Sequence, residues 1–62
     1  MILEVATLDV RSGQEAAFET AFREAQVIIA AMDGYQSHEL QRCIENSSRY
    51  LLLVKWETLE DH

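Results

Sequence analysis

The stretch Tyr50-Leu51-Leu52-Leu53-Val54-Lys55-Trp56 constrains the fold more than any other part of the chain. In an extended strand alternate side chains point to opposite faces. Tyr50, Leu52, Val54 and Trp56 would then share one face, and Leu51 and Leu53 the other. A surface strand carries polar residues on one side. A strand dry on both sides is central in its sheet and needs cover above and below.

The remaining segments supply one cover. Met1 to Val10 reads as a strand whose drier face carries Ile2, Ala6, Leu8 and Val10, interrupted by Glu4, a charge that is either solvated near the strand end or paired across the sheet, solvation being the favoured reading. Ser12-Gly13-Gln14-Glu15 has capping-box spacing, with Ser12 as N-cap and Glu15 reaching back. A helix is expected over 12–32, with Phe18, Ala21, Phe22, Ala25, Ile28, Ile29 and Met32 on the apolar stripe. Glu15, Glu19, Arg23 and Gln26 fall on the wet face, with Glu19 and Arg23 spaced as an i,i+4 ion pair. Gly34 is suited to end the helix. Tyr35 to Ile44 reads as a polar edge strand, and Glu45-Asn46-Ser47-Ser48 as the turn of a hairpin leading into Tyr50–Trp56. Thr58-Leu59-Glu60-Asp61 then resembles a helix start.

A right-handed strand–helix–strand crossover makes the first two strands parallel. The hairpin places the third strand between them, antiparallel to both. The expected class is therefore α+β, a ferredoxin-like split βαβ plan in β-α-β-β order with the second helix only begun. Residues 1–62 are expected to form a single domain that lacks the second helix and fourth strand of the full plan. One sheet face takes the helix. The other is expected to pack face to face against the sheet of a second copy, giving a homodimer or higher homo-oligomer.

Composition narrows the function. A 62-residue chain buries only ~60% of its unfolded surface, and small scaffolds of this kind are commonly stabilised by disulfides, metal or association. Cys43 is the single cysteine, and no Cys/His cluster has metal-ligand spacing, so association is the device left and no metal is expected. The lone cysteine and the lack of a signal peptide suggest a cytoplasmic protein. A net charge of −6 argues against nucleic acid and against anionic membrane surfaces, and no apolar run is long enough to span a bilayer.

Several motifs in order resemble those of the antibiotic biosynthesis monooxygenase family, within the dimeric α+β barrel superfamily. They are Val10-Arg11-Ser12-Gly13-Gln14-Glu15 followed by Phe18, Met32-Asp33-Gly34-Tyr35, Ser37-His38-Glu39-Leu40, Tyr50 through Thr58, and Glu60-Asp61-His62. Ser12 and Asp33 stand where the family usually has proline. The resemblance implies a face-to-face homodimer with a small-molecule cavity between helix and sheet. It implies a monooxygenase acting on aromatic or quinone-type compounds, with no cofactor in the quinone-forming members; other members degrade haem. In quinone-forming members a tryptophan at the place of Trp56 lines the cavity. Leu52 stands where they carry a substrate-holding asparagine, and His62 where they carry a tyrosine, so Trp56 and His62 are the candidate catalytic residues. Phe22, Leu52 and Trp56 are the candidate substrate contacts. Ala6 stands where the haem-degrading members have a catalytic asparagine.

Each candidate also has a purely structural reading. Trp56 anchors the end of a sheet equally well. Phe18, Phe22 and Met32 fit an ordinary helix–sheet core, His38 a solvated or interface position, and Cys43 a small strand residue. The alternatives to an oxygenase are a non-catalytic fragment of such a domain that folds by self-association, and a small ligand-binding module.

Overall fold

The computed structural model of the protein describes residues 1–57. The helix start expected at Thr58 and the candidate His62 lie outside the described residues. Strand β1 (Ile2–Asp9), helix α1 (Glu15–Ala30), strand β2 (Tyr35–Arg42) and strand β3 (Arg49–Trp56) follow in that order. The sheet order is β1-β3-β2, with β3 antiparallel to both neighbours, as the split βαβ plan requires. Leu52 sits opposite Ala6 on one side and Leu40 on the other.

The hydrophobic pattern determines which face each strand buries. Tyr50, Val54 and Trp56 are 2%, 3% and 3% exposed and lie under α1. Along β1, Ile2, Glu4, Ala6 and Leu8 are half-buried, and Leu3, Val5, Thr7 and Asp9 are exposed. The register puts Leu3, Val5, Leu51 and Leu53 together on the face opposite α1, beside Glu39 and Lys55. Leu3 and Val5 are 53% and 55% exposed there. That face is the one expected to need a partner, and no element among the described residues covers it.

The helix differs from its sequence reading in start and in rotation. It begins at Glu15, not Ser12, and the capping box does not form. Instead Gln14 N–H donates to the Arg11 carbonyl at 2.9 Å, closing a turn in which Gly13 takes φ +89°. Only glycine adopts that conformation readily, so the turn excludes Ser12 from the cap. Glu15 accepts instead from Gly13 N–H at 3.0 Å and from the Ser48 hydroxyl at 2.6 Å. At the other end, Ala31 and Met32 N–H donate to the Ile28 and Ile29 carbonyls in tightened turns, and Gly34 at φ +84° redirects the chain into β2.

The face of α1 that meets the sheet carries Phe18, Glu19, Phe22, Gln26 and Ile29, of which Phe22 is buried. Ala21, Ala25 and Ile28, expected on that stripe, are exposed, Ile28 at 68%. Glu15, Glu19 and Gln26, expected on the wet face, are half-buried because each finds a hydrogen-bond partner across the layer, Glu19 and Gln26 on the sheet and Glu15 at Ser48 of the hairpin loop. The Glu19–Arg23 pair is consequently absent: Glu19 is turned inward to Tyr50.

β2 stops at Arg42, two residues short of its expected end. Cys43 N–H still donates to the Arg49 carbonyl at 2.8 Å, but Ile44 projects from the hairpin loop at 97% exposure. Asn46 closes that loop, its carbonyl accepting from Arg49 N–H and its side chain from Ser48 N–H. No helix among the described residues is long and apolar enough to cross a membrane.

The rotation of α1 has a measurable consequence. Phe22→Ala removes a buried ring and should cost about 3–5 kcal/mol, enough to abolish the native baseline of so small a domain. Ile28→Ala should change stability by less than about 0.5 kcal/mol. Urea titrations followed by circular dichroism test this; equal losses in the two variants would place Ile28 in the core.

Candidate active site

The layer between α1 and the sheet is built around a row of rings. Tyr50 packs on Phe18 (centroids 4.7 Å apart), Phe18 on Phe22 (6.2 Å), Phe22 on the His38 imidazole (5.8 Å), His38 on Tyr35 (5.7 Å) and Tyr35 edge-on against Trp56 (6.4 Å). All five aromatic residues of the chain lie in this row. Their polar atoms need partners once desolvated, and the inward polar residues supply them. Tyr50 donates to Glu19 Oε2 at 2.5 Å. Tyr35 donates to His38 Nδ1 at 2.6 Å, and His38 Nε2–H donates to Gln26 Oε1 at 3.0 Å. Trp56 Nε1–H donates to Glu4 Oε1 at 3.1 Å.

Two of these contacts correct the sequence reading. Glu4 is half-buried and holds the Trp56 indole; its place two residues from Ile2, whose cross-strand partner is Trp56, puts the carboxylate within reach. His38 is half-buried, and its ring is turned to the helix side of the sheet. It is wedged edge-on against Phe22 between two hydrogen-bond partners.

Two clefts open into the layer. One, of about 260 Å³, is lined by Glu4, Ile29, Met32, Leu52, Val54 and Trp56. It brings together Trp56 and Leu52 of the sequence-derived candidates. Phe22 lines the other cleft, of about 390 Å³, with Glu19, Gln26, Leu40, Arg42 and Tyr50 among its neighbours. Met32, expected beside Phe22, stands instead at the Trp56 cleft. The sequence reading missed Glu4 as a lining residue. Its signal was present, a charge on the drier face of a strand, and it pointed to a partner rather than to solvent. Gln26 and Tyr35 were missed as the partners of His38, and only the helix rotation reveals the first of them.

The Trp56 cleft has apolar walls, one indole and one carboxylate. Among the described residues no group of three or more His, Cys, Asp or Glu is placed to hold a metal ion.

A model of the antibiotic biosynthesis monooxygenase family matches residues 1–62. The chain is 53% identical over 62 residues to the uncharacterized protein YczJ of Bacillus subtilis (strain 168), a match that covers 100% of this chain and 65% of YczJ. It also superposes, with a TM-score of 0.90 and 37% identity, on the crystal structure of a Bordetella bronchiseptica protein assigned to the antibiotic biosynthesis monooxygenases. That superposition covers 97% of this chain and 61% of the other. The chain thus spans less than two thirds of the length of these relatives.

The hydrogen bond from Tyr50 to Glu19, reinforced by burial, raises the phenol above its ordinary range, against the opposing charge of Arg42. A raised phenol favours the folded state below the unfolded value of about 10, and this contribution is lost as pH rises through the folded value. Tyrosine ¹³Cζ shifts should therefore show Tyr50 titrating above a free phenol in the wild type and nearer to it in Glu19→Gln. Titration at the free-phenol value in both proteins would mean that Glu19 does not hold the hydroxyl.

Proposed function

This chain belongs to the antibiotic biosynthesis monooxygenase family, and from that premise we propose that its Trp56 cleft binds a planar aromatic hydroxyl compound and supports its oxygenation to a quinone. The observation that carries this reading is the cleft itself. A single indole, held by Glu4, and the apolar side chains of Leu52, Val54, Ile29 and Met32 surround a space between helix and sheet. A planar ring stacks on such a surface, and stacking is worth about 0.5–1.5 kcal/mol beyond the burial of area.

In the proposed chemistry Glu4, beside Trp56, takes a proton from the bound phenol or its acidic methylene. The resulting anion is electron-rich and passes one electron to dioxygen; the substrate radical and superoxide recombine as a peroxide anion, which takes the proton back from Glu4 to become the hydroperoxide. Loss of water leaves the carbonyl. An anthracenone and dioxygen thus give an anthraquinone and water, with the electrons supplied by the substrate. The protein contributes a dry, oriented pocket in which the anion is formed. Leu52 gives the pocket an apolar wall where a hydrogen bond to the substrate would otherwise be made. Specificity then rests on shape and stacking. Phe22, in the neighbouring cleft, supports the layer without touching this substrate.

The open sheet face is read as a homodimer contact. Leu3, Val5, Leu51 and Leu53 form one apolar strip on it, and a second copy presents the same strip in a two-fold arrangement. The residue range 1–62 is read as one such domain.

Trp56 is the only tryptophan, so its fluorescence reports the cleft directly. Titration with a dihydroxyanthracenone should quench it saturably. Quinone absorbance under air should rise with the wild type and fall to the uncatalysed rate with Trp56→Ala and with Glu4→Gln. Turnover unaffected by either substitution, or no quenching at all, would put the site elsewhere.

A further inference from the structure

The second cleft, at the opposite end of the helix–sheet layer, shares no lining residue with the Trp56 cleft and has a different chemistry. Its wall is Phe22, Leu40 and Tyr50. Its polar lining is Glu19, Arg23, Gln26 and Arg42. Two of the chain's five basic residues therefore meet in one cleft of a protein whose net charge is −6.

Apart from Glu19, which accepts from Tyr50, these polar groups are donors with unused capacity. The Arg42 Nε–H donates to the Ser47 carbonyl at 2.8 Å, and its guanidinium carbon lies 5.9 Å from the Tyr50 ring centre. Those contacts fix the plane of the guanidinium, but its Nη1 is 3.8 Å from Glu19 Oε2, beyond hydrogen-bond distance. Arg23 makes no ion pair among the described residues, because Glu19, one helical turn before it, is committed to the Tyr50 hydroxyl. Gln26 is held by His38, which donates to its side-chain oxygen. The Gln26 amide –NH₂ is left as a donor. Glu19 is the sole carboxylate in the lining, so cations exceed anions there by two to one.

A cleft with an apolar aromatic wall and guanidinium and amide donors matches one ligand chemistry. We propose that it binds a small planar aromatic carboxylate, its carboxylate held by Arg23 and Arg42 with the Gln26 amide, its ring against Phe22 and Leu40. Guanidinium and carboxylate pair as planar forks with two parallel charge-assisted hydrogen bonds. A volume of about 390 Å³ is within the usual size of small-molecule clefts and suits one or two fused rings. This site is independent of the oxygenation proposed above, and its failure would leave that reading intact.

Titration of the ¹⁵N-labelled protein with 2-naphthoate, and separately with the uncharged isostere 2-naphthalenemethanol, tests it. The expected result is saturable binding of the carboxylate, with amide shifts centred on Arg23, Gln26, Leu40 and Arg42. The uncharged alcohol should bind at least about tenfold more weakly. Arg23→Gln and Arg42→Gln should each raise the Kd about five- to tenfold, the loss of roughly one charge-assisted hydrogen bond at 1.4 kcal/mol per decade. The same spectra confirm that each variant is folded, and Arg23, which makes no described polar contact, is the variant least able to disturb the fold. Any of three results overturns the proposal: shifts centred on Met32 and Trp56, equal affinity for acid and alcohol, or unchanged affinity in folded Arg23→Gln.

Discussion

The structure depends on β3 being hydrogen-bonded along both edges while remaining apolar on both faces. The pairing with β1 and β2 satisfies its backbone groups, so its side chains alone decide what may lie above and below. Tyr50, Val54 and Trp56 are covered by α1, and Leu51 and Leu53 are not covered by any described part of the chain. Burial of apolar area is the main favourable term in a domain this small, at about 25 cal/mol per Å². The apolar surface of the second face, with Leu3 and Val5 more than half exposed, contributes less than it would with something packed on it.

The covered face is not an ordinary hydrophobic layer. Every aromatic hydroxyl or N–H in it is matched by a polar group: Tyr50 by Glu19 of the facing helix, Trp56 by Glu4 of the neighbouring strand, and Tyr35 by His38 of its own strand, which is held in turn by Gln26 of the helix. Direct contacts of this kind hold α1 at one rotation, because a turn about its axis would leave the Tyr50 hydroxyl and the His38 Nε2–H without their partners Glu19 and Gln26, at a cost of about 1–3 kcal/mol for each group left buried and unpaired. The same seams keep the layer from closing completely. They leave a small apolar cleft beside Trp56 and a larger, donor-rich one beside Arg42. The two candidate clefts are thus placed by the residues that fix the helix.

The elements, their order and the central position of β3 were legible in the sequence because they rest on periodicity and on turn residues such as Gly34 and Asn46. The rotation of α1 was not. Ala21, Ala25 and Ile28 form an apolar stripe as regular as the true one, and periodicity cannot tell which stripe meets the sheet when inward Glu and Gln have partners far away in sequence. The capping box failed for a local reason: Gly13 at positive φ forms a turn that displaces Ser12. At the candidate site, Trp56 and Leu52 were found together, whereas Phe22 belongs to the other cleft. Glu4 was visible as an oddity, but its meaning required the register that brings it to the Trp56 indole.

The central claim is that the open face of β3 is completed by a second copy of the chain. Sedimentation equilibrium at micromolar concentration tests it most directly. The account predicts a folded species of at least twice 7.1 kDa, and for Leu53→Asp, which would bury an unpaired charge in the contact, dissociation or unfolding. A compact, folded monomer of 7.1 kDa, with stability unchanged by Leu53→Asp, would contradict it.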